Sequence, residues 1–309
     1  MDIKGKKIIV TGGAGFIGSN IVDALAKENE IVVIDNMHSG SRENLSDALK
    51  TGNVKLLEMD ASDIMSVDFS PDYIFHLGMY SSTPMYREDH HRMSEVARST
   101  VSIYQYAMKH NAKVVFASSS SLYNGLPIPH KEDLAPIPSD FYTEARYYVE
   151  RLGDLYNKMH GVDVVALRLF SVYGPKEKSK GEFANLVSQF LWDIMAKRQP
   201  VVYGDGSQTR DFTYVTDVVR AFTEATKLKG FNAINVGTGK SYTLNEMILK
   251  LNEHLGSDAK PDYIINPLKN YVEHTLADTA KAEKVLGFKT ECTLDEGIER
   301  LISYYGAKG

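Results

Sequence analysis

The sequence predicts an α/β protein, a doubly wound parallel sheet joined to a smaller C-terminal lobe. Short apolar runs alternate with stretches of helical period through the first half of the chain, as strands linked by crossover helices do. A glycine-rich turn separates the first run from the first helical stretch. After Pro175 the alternation gives way to polar loop, mixed aromatics and isolated helical patterns. A chain of 309 residues suits one large or two modest domains. The expected division is residues 1–174 for the sheet, with a return segment near 211–239, and mainly 175–309 for the second lobe.

Taken in order, Lys7 to Val10 reads as a buried strand because its apolar residues are consecutive and β-branched. Gly15 to Asn29 reads as a helix, with Ile17, Ile21 and Leu25 one turn apart on a single face. Ile31 to Ile34 is the second strand; Val54–Glu58, Tyr73–Leu77, Val114–Ala117 and Val164–Leu169 follow. Met93, Val96, Thr100, Ile103 and Ala107 recur at steps of three and four, which predicts a helix, and Tyr142 to Met159 is another. Such alternation implies right-handed crossovers and a parallel sheet covered on both faces. Beyond Pro175, a Lys-, Glu- and Gly-rich loop runs to Glu182, and Phe183 to Lys197 looks helical. Tyr203 to Val215 carries turn residues and aromatics, and Phe231 to Val236 returns to the main sheet. Leu244–Leu255 and Leu294–Tyr305 read as the last helices.

Composition narrows the function. Lys and Arg number 35 against 40 Asp and Glu, a net charge of −5, so no overall positive field gathers nucleic acid or an anionic membrane. One cysteine, Cys292, forms neither an internal disulfide nor a Cys-rich zinc site and points to a reducing compartment. There is no run of 18 apolar residues, and Met1 to Val10 lacks the apolar core of a secretory signal. The expectation is a cytoplasmic protein with no metal, nucleic-acid or membrane partner.

Thr11 to Gly18 follows the first strand and opens the first helix, with glycines at 12, 15 and 18. Glycine lets the backbone turn tightly, approach a pyrophosphate and pack helix on strand. The helix N-terminus then offers free N–H groups to the phosphates. This is the Rossmann-type arrangement, and the cleft between the lobes is where it places a ligand. Asp35 ends the second strand, where a carboxylate accepts bonds from an adenosine ribose and repels a 2′-phosphate; NAD is therefore expected over NADP. The plainer reading of Asp35 is a turn cap. Arg42 lies near enough in sequence to meet a phosphate, and Asp60-Ala61 suits either the adenine edge or a loop cap.

Ser118 to Ser121, then Leu122 and Tyr123, follow the fifth strand, and Tyr142 and Arg146 stand at i and i+4, with Glu150 one turn further. A tyrosine and a serine at the end of a parallel strand can reach one carbinol oxygen together. A free phenol, with a pKa of about 10, is a poor base near neutrality. A neighbouring cation favours its phenolate. Spacing alone favours the plainer reading, one tyrosine among 18 and a serine-rich turn.

The motifs together resemble the extended short-chain dehydrogenase/reductase family, and within it the nucleotide-sugar 4-epimerases. The resemblance covers nearly the whole chain: Thr11 to Gly18, Asp35 to Gly40, Phe75 to Gly78, the serine run to Tyr123, Tyr142-x-x-x-Arg146, Arg168 to Pro175, Gly204 to Phe212 and Leu276 to Asp278. It implies a UDP-sugar substrate, NAD as cofactor and a homodimer formed through the Met93 and Tyr142 helices. It implies that Tyr142 takes the proton of the sugar 4-hydroxyl, that Ser119 or Ser120 bonds the same oxygen, and that C4 is oxidised, turned over and reduced again. Cofactor contacts implied are Gly12, Gly15, Phe16, Ile17, Gly18, Asp35, Asn36, Ser39, Gly40, Asp60, Ala61, Leu77, Gly78, Met79, Ser118, Tyr142, Arg146 and Phe170. Substrate contacts implied are Ser81, Ser82, Tyr86, Ser120, Ser171, Asn185, Leu186, Tyr203, Arg210, Lys269, Tyr271 and Thr275.

Departures from the family pattern are specific. Position 146 is Arg where the family has Lys, which keeps the charge on a bulkier fork; an enzyme is expected, and a catalytically silent NAD-binding homologue is the alternative. Ser171 replaces the Asn common there, and Leu268 to Tyr271 replaces an Arg-x-Gly-Asp segment, leaving Lys269 or Tyr271 for the uridine ribose. Ser120 and Ser121 stand where 4,6-dehydratases need Asp-Glu, and the Cys and His acid pair that fucose synthases need is not met by Cys292, which lies far along the chain. UDP-glucuronate epimerases and decarboxylases stay open. Thr275, small where related epimerases have a Tyr, points to UDP-N-acetylglucosamine/galactosamine, with UDP-glucose/galactose alongside. Arg210 is expected on the diphosphate, or else in an ion pair with Asp211.

Overall fold

The structure, a computed structural model, describes residues 3–268 and 270–306. The first half runs β1 (Lys7–Thr11), α1 (Phe16–Leu25), β2 (Glu30–Asp35), the single turn α2 (Ser46–Leu49), β3 (Val54–Glu58), β4 (Tyr73–His76), α3 (Thr83–Glu88), α4 (Arg92–His110), β5 (Lys113–Ser119), α5 (Phe141–His160) and β6 (Val164–Leu169). There follow β7 (Val172–Tyr173), α6 (Leu186–Met195), β8 (Val201–Tyr203), β9 (Thr209–Arg210), β10 (Thr213–Tyr214), α7 (Val215–Ala225), β11 (Phe231–Val236), β12 (Tyr242–Thr243), α8 (Leu244–Leu255), β13 (Asp262–Ile264), α9 (Ala280–Leu286) and α10 (Leu294–Gly306).

Seven parallel strands form the expected sheet in the order β11-β6-β5-β4-β1-β2-β3. The chain winds outward from β1 in one direction and from β4 in the other, so the sheet reverses between them. Ligands of such sheets bind outside the carboxyl ends of the strands at that reversal. Alternate strand residues enter different cores: Ile8, Val10, Ile31 and Val33 pack with α1 and α7, whereas Ile9, Val32 and Ile34 pack with residues of α4 and α5. Both faces are therefore buried, which is why the strands read as apolar runs rather than alternating ones. A separate core of Tyr173, Val187, Phe190, Leu191, Met247, Leu251, Ile298 and Leu301 holds the second lobe together. The C-terminal half also serves the sheet, since β11, α7 and Ala282 of α9 join the first core. Among the described residues no helix is long and apolar enough to cross a membrane.

Caps explain the helix ends. Asp140 and Thr143 form a reciprocal capping box at the start of α5, and Gly161 closes it with φ +70°. The sixth helix begins at Leu186 rather than at Phe183, because the Asn185 side chain accepts from Val187 N at 3.0 Å and fixes the N-terminus there. β5 runs on to Ser119, past the expected end at Ala117, because Ser118 and Ser119 pair with Arg168 and Leu169 of β6.

Candidate active site

The loop between β1 and α1 is forced into shape by close backbone contacts. Gly12 has φ +67°, and a Cβ there would stand 2.6 Å from the carbonyl carbon of Leu77. A Cβ on Gly18 would overlap the carbonyl oxygen of Gly12. Gly15 precedes α1 in extended conformation, with no side chain capping the helix and no acid in its first turn. The N–H groups of that turn are thus left for an anion.

Asp35 is buried at the end of β2. Its Oδ2 accepts from Ala14 N at 2.9 Å and its Oδ1 from Met37 N at 2.8 Å. Burial raises its pKa above the ordinary carboxylate value, against the pull of those amides. Each oxygen keeps acceptor capacity for a ribose hydroxyl. Gly40 does not line the cleft but packs on this group, where a Cβ would come within 2.9 Å of Oδ1. Arg42 is turned away into an exposed pair with Glu58 at 2.9 Å, so the carboxylate is not matched by that cation. Asp60 both caps its turn, accepting from Ser62 N at 2.9 Å, and lines the cleft.

Across the reversal point, Thr11 Oγ1 accepts from Gly78 N and lies 2.7 Å from Nδ1 of buried His76. The Thr11 hydroxyl thus bridges the His76 ring to the backbone of Gly78. Burial, reinforced by the Arg146 charge, pushes the His76 pKa down to about 3.

Helix α5 stacks three groups on one face. Tyr142 is 8% exposed and opens to the cleft. The Arg146 guanidinium carbon lies 5.1 Å from the Tyr142 ring centre. That guanidinium, 4% exposed, donates from Nη2 to Tyr80 O at 2.7 Å and from Nη1 to Met79 Sδ at 2.9 Å; its Nε is buried with no partner among the described residues. One turn on, Glu150 accepts from Ser118 Oγ at 2.6 Å and from Arg168 at 3.0 and 2.7 Å. Ser118 is thus committed inward, whereas the Ser119 hydroxyl only accepts, from Ser121 N at 3.1 Å, and keeps its proton to donate.

A single cleft of about 360 Å³ gathers Gly12, Gly15, Phe16, Ile17, Gly18, Asp35, Asn36, Ser39, Asp60, Ala61, Leu77, Gly78, Met79, Ser81, Ser118, Ser119, Ser120, Tyr142, Arg146, Ser171 and Asn185. Several expected residues lie outside it. Phe170 is core, stacked on Tyr123 and tilted against His130. Leu186 packs against the core of the second lobe. Ser82 sits at the head of α3 with its hydroxyl buried and unpartnered among the described residues. Tyr86 stands behind Tyr142, ring centres 5.7 Å apart, and faces a neighbouring pocket with Arg87, Phe141 and Asn270. Arg210 donates to the carbonyls of Thr209 and Glu273 and lies over the ring of Tyr271, while the Tyr203 carbonyl accepts from Gln208. It makes no pair with Asp211, which points the other way and accepts from Thr238, Gly239 and Ala277. Thr275 is buried, accepting from Asp211 N at 3.1 Å, and does not line the cleft. Lys269 lies outside the described residues.

Sequence reasoning passed over His38, Tyr80, Glu95, Ser99, Lys180 and Phe183, all of which line the cleft. Lys180 carried a signal, a cation in the loop after Pro175; it lies 5.7 Å from the Phe16 ring beside the glycine turn. The residues present fit a dinucleotide: a backbone cradle that any Cβ would fill, a ribose acceptor, and a buried guanidinium nitrogen still to be satisfied.

Comparison with known proteins agrees with this geometry. Residues 8–237 match the model of the NAD dependent epimerase/dehydratase family. A UDP-glucose 4-epimerase of Mycolicibacterium smegmatis is 30% identical over 98% of this chain and 99% of its own. The solved UDP-N-acetylglucosamine 4-epimerase of Methanobrevibacter ruminantium, in complex with UDP-N-acetylmuramic acid, superposes with a TM-score of 0.93 at 31% identity, covering 99% of this chain and 100% of that one. The UDP-glucose 4-epimerase of Thermotoga maritima, solved with UDP-glucose, gives 0.91 at 30% identity over 98% and 99%.

Proposed function

The chain belongs to the NAD dependent epimerase/dehydratase family, and from that premise we propose that it inverts C4 of UDP-linked hexosamines, interconverting UDP-N-acetylglucosamine and UDP-N-acetylgalactosamine, with UDP-glucose and UDP-galactose as a second pair. The observation that carries the reading is the placing of Tyr142, Arg146, Ser119 and Ser120 on the same cleft as the glycine turn and Asp35. NAD, the cofactor of this family, supplies reversible two-electron oxidation of the sugar carbinol when bound. The glycine turn and the N-terminus of α1 hold its diphosphate and Asp35 its adenosine ribose.

The chain's own part is proton handling and orientation. Tyr142 removes the proton of the 4-hydroxyl and returns it to the same oxygen once the sugar has presented its other face. Ser119, with a proton to donate, and Ser120 hold the same oxygen. The fixed charge of Arg146 stabilises the tyrosine oxygen while its proton is away. Arg serves here as the family Lys does, because the charge stays within reach of the ring. The hexosamine preference no longer rests on Thr275. It rests on the small hydroxylic wall of Ser81, Ser119, Ser120, Ser121 and Ser171, which leaves room for an acyl group, and on the likeness to the UDP-N-acetylglucosamine enzyme. We extend the proposal to a homodimer through α4 and α5, to a cytoplasmic setting, and to residues 1–174 with 211–239 as the cofactor-binding part and 175–309 as mainly the sugar-binding lobe.

Proton NMR of the products from a panel of UDP-sugars tests it. NAD-loaded protein is expected to yield the C4-inverted N-acetylhexosamine without added NADH, and Tyr142→Phe to retain bound NAD but turn over at least about 100-fold more slowly. Inert UDP-N-acetylglucosamine and UDP-glucose would sink the proposal, and carbon dioxide released from UDP-glucuronate would replace it with the decarboxylase reading.

A further inference from the structure

We propose that His38 and Tyr80 form an aromatic clasp over the cofactor cleft that retains bound NAD. His38 lies in the loop after β2, and Tyr80 in the loop after β4. Those strands flank β1 on either side, so their carboxyl ends are two strand spacings apart, about 10 Å. The glycine turn after β1 sits between them. The two side chains close that gap, with ring centres 5.0 Å apart and planes at 81°. Edge-to-face geometry at this separation is attractive. Both residues line the cleft with the glycine turn and Asp35. A ligand held by that turn and by Asp35 therefore lies beneath the joined rings.

The two halves of the clasp differ in firmness. Tyr80 is anchored on three sides. Its hydroxyl donates to Glu95 Oε2, the Arg92 guanidinium carbon lies 4.8 Å from its ring centre, and the ring of Tyr86 meets it edge-on at 6.0 Å. Its carbonyl accepts from Arg146. Burial and the Glu95 carboxylate hold its phenol protonated. His38 is exposed, on a loop of Asn36, Met37 and Ser39. Opening the clasp thus means swinging His38 aside while Tyr80 stays with Arg146. A cofactor that ends each cycle in the state in which it began has no need to leave, and a hinge on the exposed side lets it load once.

The test uses the purified full-length protein and no sugar, so its failure leaves the epimerase reading untouched. Bound NADH is chased with excess NAD, and release is followed by the loss of NADH fluorescence. His38→Ala should release NADH about twofold to tenfold faster, the range set by losing one aromatic contact. Tyr80→Ala should release it at least as fast, and Tyr80→Phe, which keeps the ring, should stay nearer wild type. His38 is exposed, so its variant should fold normally, checked by an unchanged melting temperature. A wild-type release rate in folded His38→Ala overturns the proposal, as does a Tyr80→Phe rate equal to that of Tyr80→Ala.

Discussion

His76 occupies the end of β4 with no surface exposed, hydrogen-bonded to Thr11 and facing the charge of Arg146. Its folded pKa of about 3 lies below the unfolded value of 6.5, so between those limits the unfolded chain binds the extra proton. Stability is intact above the unfolded value and falls as pH drops towards the folded one, by about 1.4 kcal/mol per pH unit. At pH 5 the loss from this residue alone is about 2 kcal/mol. Urea unfolding at pH 7 and pH 5 should show that decrement in the wild type, and His76→Gln, which cannot charge, should lose about 2 kcal/mol less between the two. Equal acid sensitivity in both proteins would mean that the imidazole accepts a proton where it sits. The requirement bears on the site because Thr11 joins His76 to Gly78 at the reversal of the sheet, beside the glycine turn.

At the scale of elements, α5 and β6 share a buried ion pair. Glu150 and Arg168 side chains are about 5% exposed and 2.7 Å apart; Arg168 also donates to Tyr123, whose hydroxyl donates to Asn235 of β11. Removing one partner leaves a charge buried and unmatched, a loss of about 3–5 kcal/mol. Glu150→Ala should therefore lower urea stability by about that much, with Glu150→Gln recovering part of it; a loss under about 1 kcal/mol would show that the helix relaxes to let water in. The elements themselves were legible wherever a local pattern encodes them. The glycine turn, Asp35 at a strand end, and Tyr142 with Arg146 on one helix face all lie within short segments whose spacing carries the message. The serine run was less legible, because pairing with Arg168 and Leu169 keeps polar residues in β5. Tyr80 against His38 was not legible at all. Their meeting depends on β4 and β2 flanking β1, a fact of strand order rather than of sequence. Tyr203, Arg210 and Thr275 are expected at the ligand by resemblance; they do not line the cleft, and Arg210 and Thr275 bond to neighbours within the second lobe.

The whole molecule poses the question of what covers the outer side of α4 and α5. Their inner residues Val96, Ile103, Ala107, Ala145 and Val149 are buried beneath the sheet. Outward, Leu155 and Met159 of α5 are 51% and 73% exposed, one turn apart, and Met108 of α4 is 44% exposed. Solvated helix faces rarely keep flexible apolar side chains in a row, and a two-fold interface would bury these against their own copies. The same helix carries Tyr142 in its first turn, so an interface along α5 would brace the catalytic end against the pull of substrate binding. Light scattering should then give twice the chain mass at micromolar concentration. Leu155→Glu combined with Met159→Glu should give the chain mass, with slower turnover but NAD still bound, because the glycine turn and Asp35 lie on the other side of the sheet reversal. Wild-type protein that scatters as a single chain would leave those side chains merely exposed, and α5 held by Glu150, Arg168 and its caps alone.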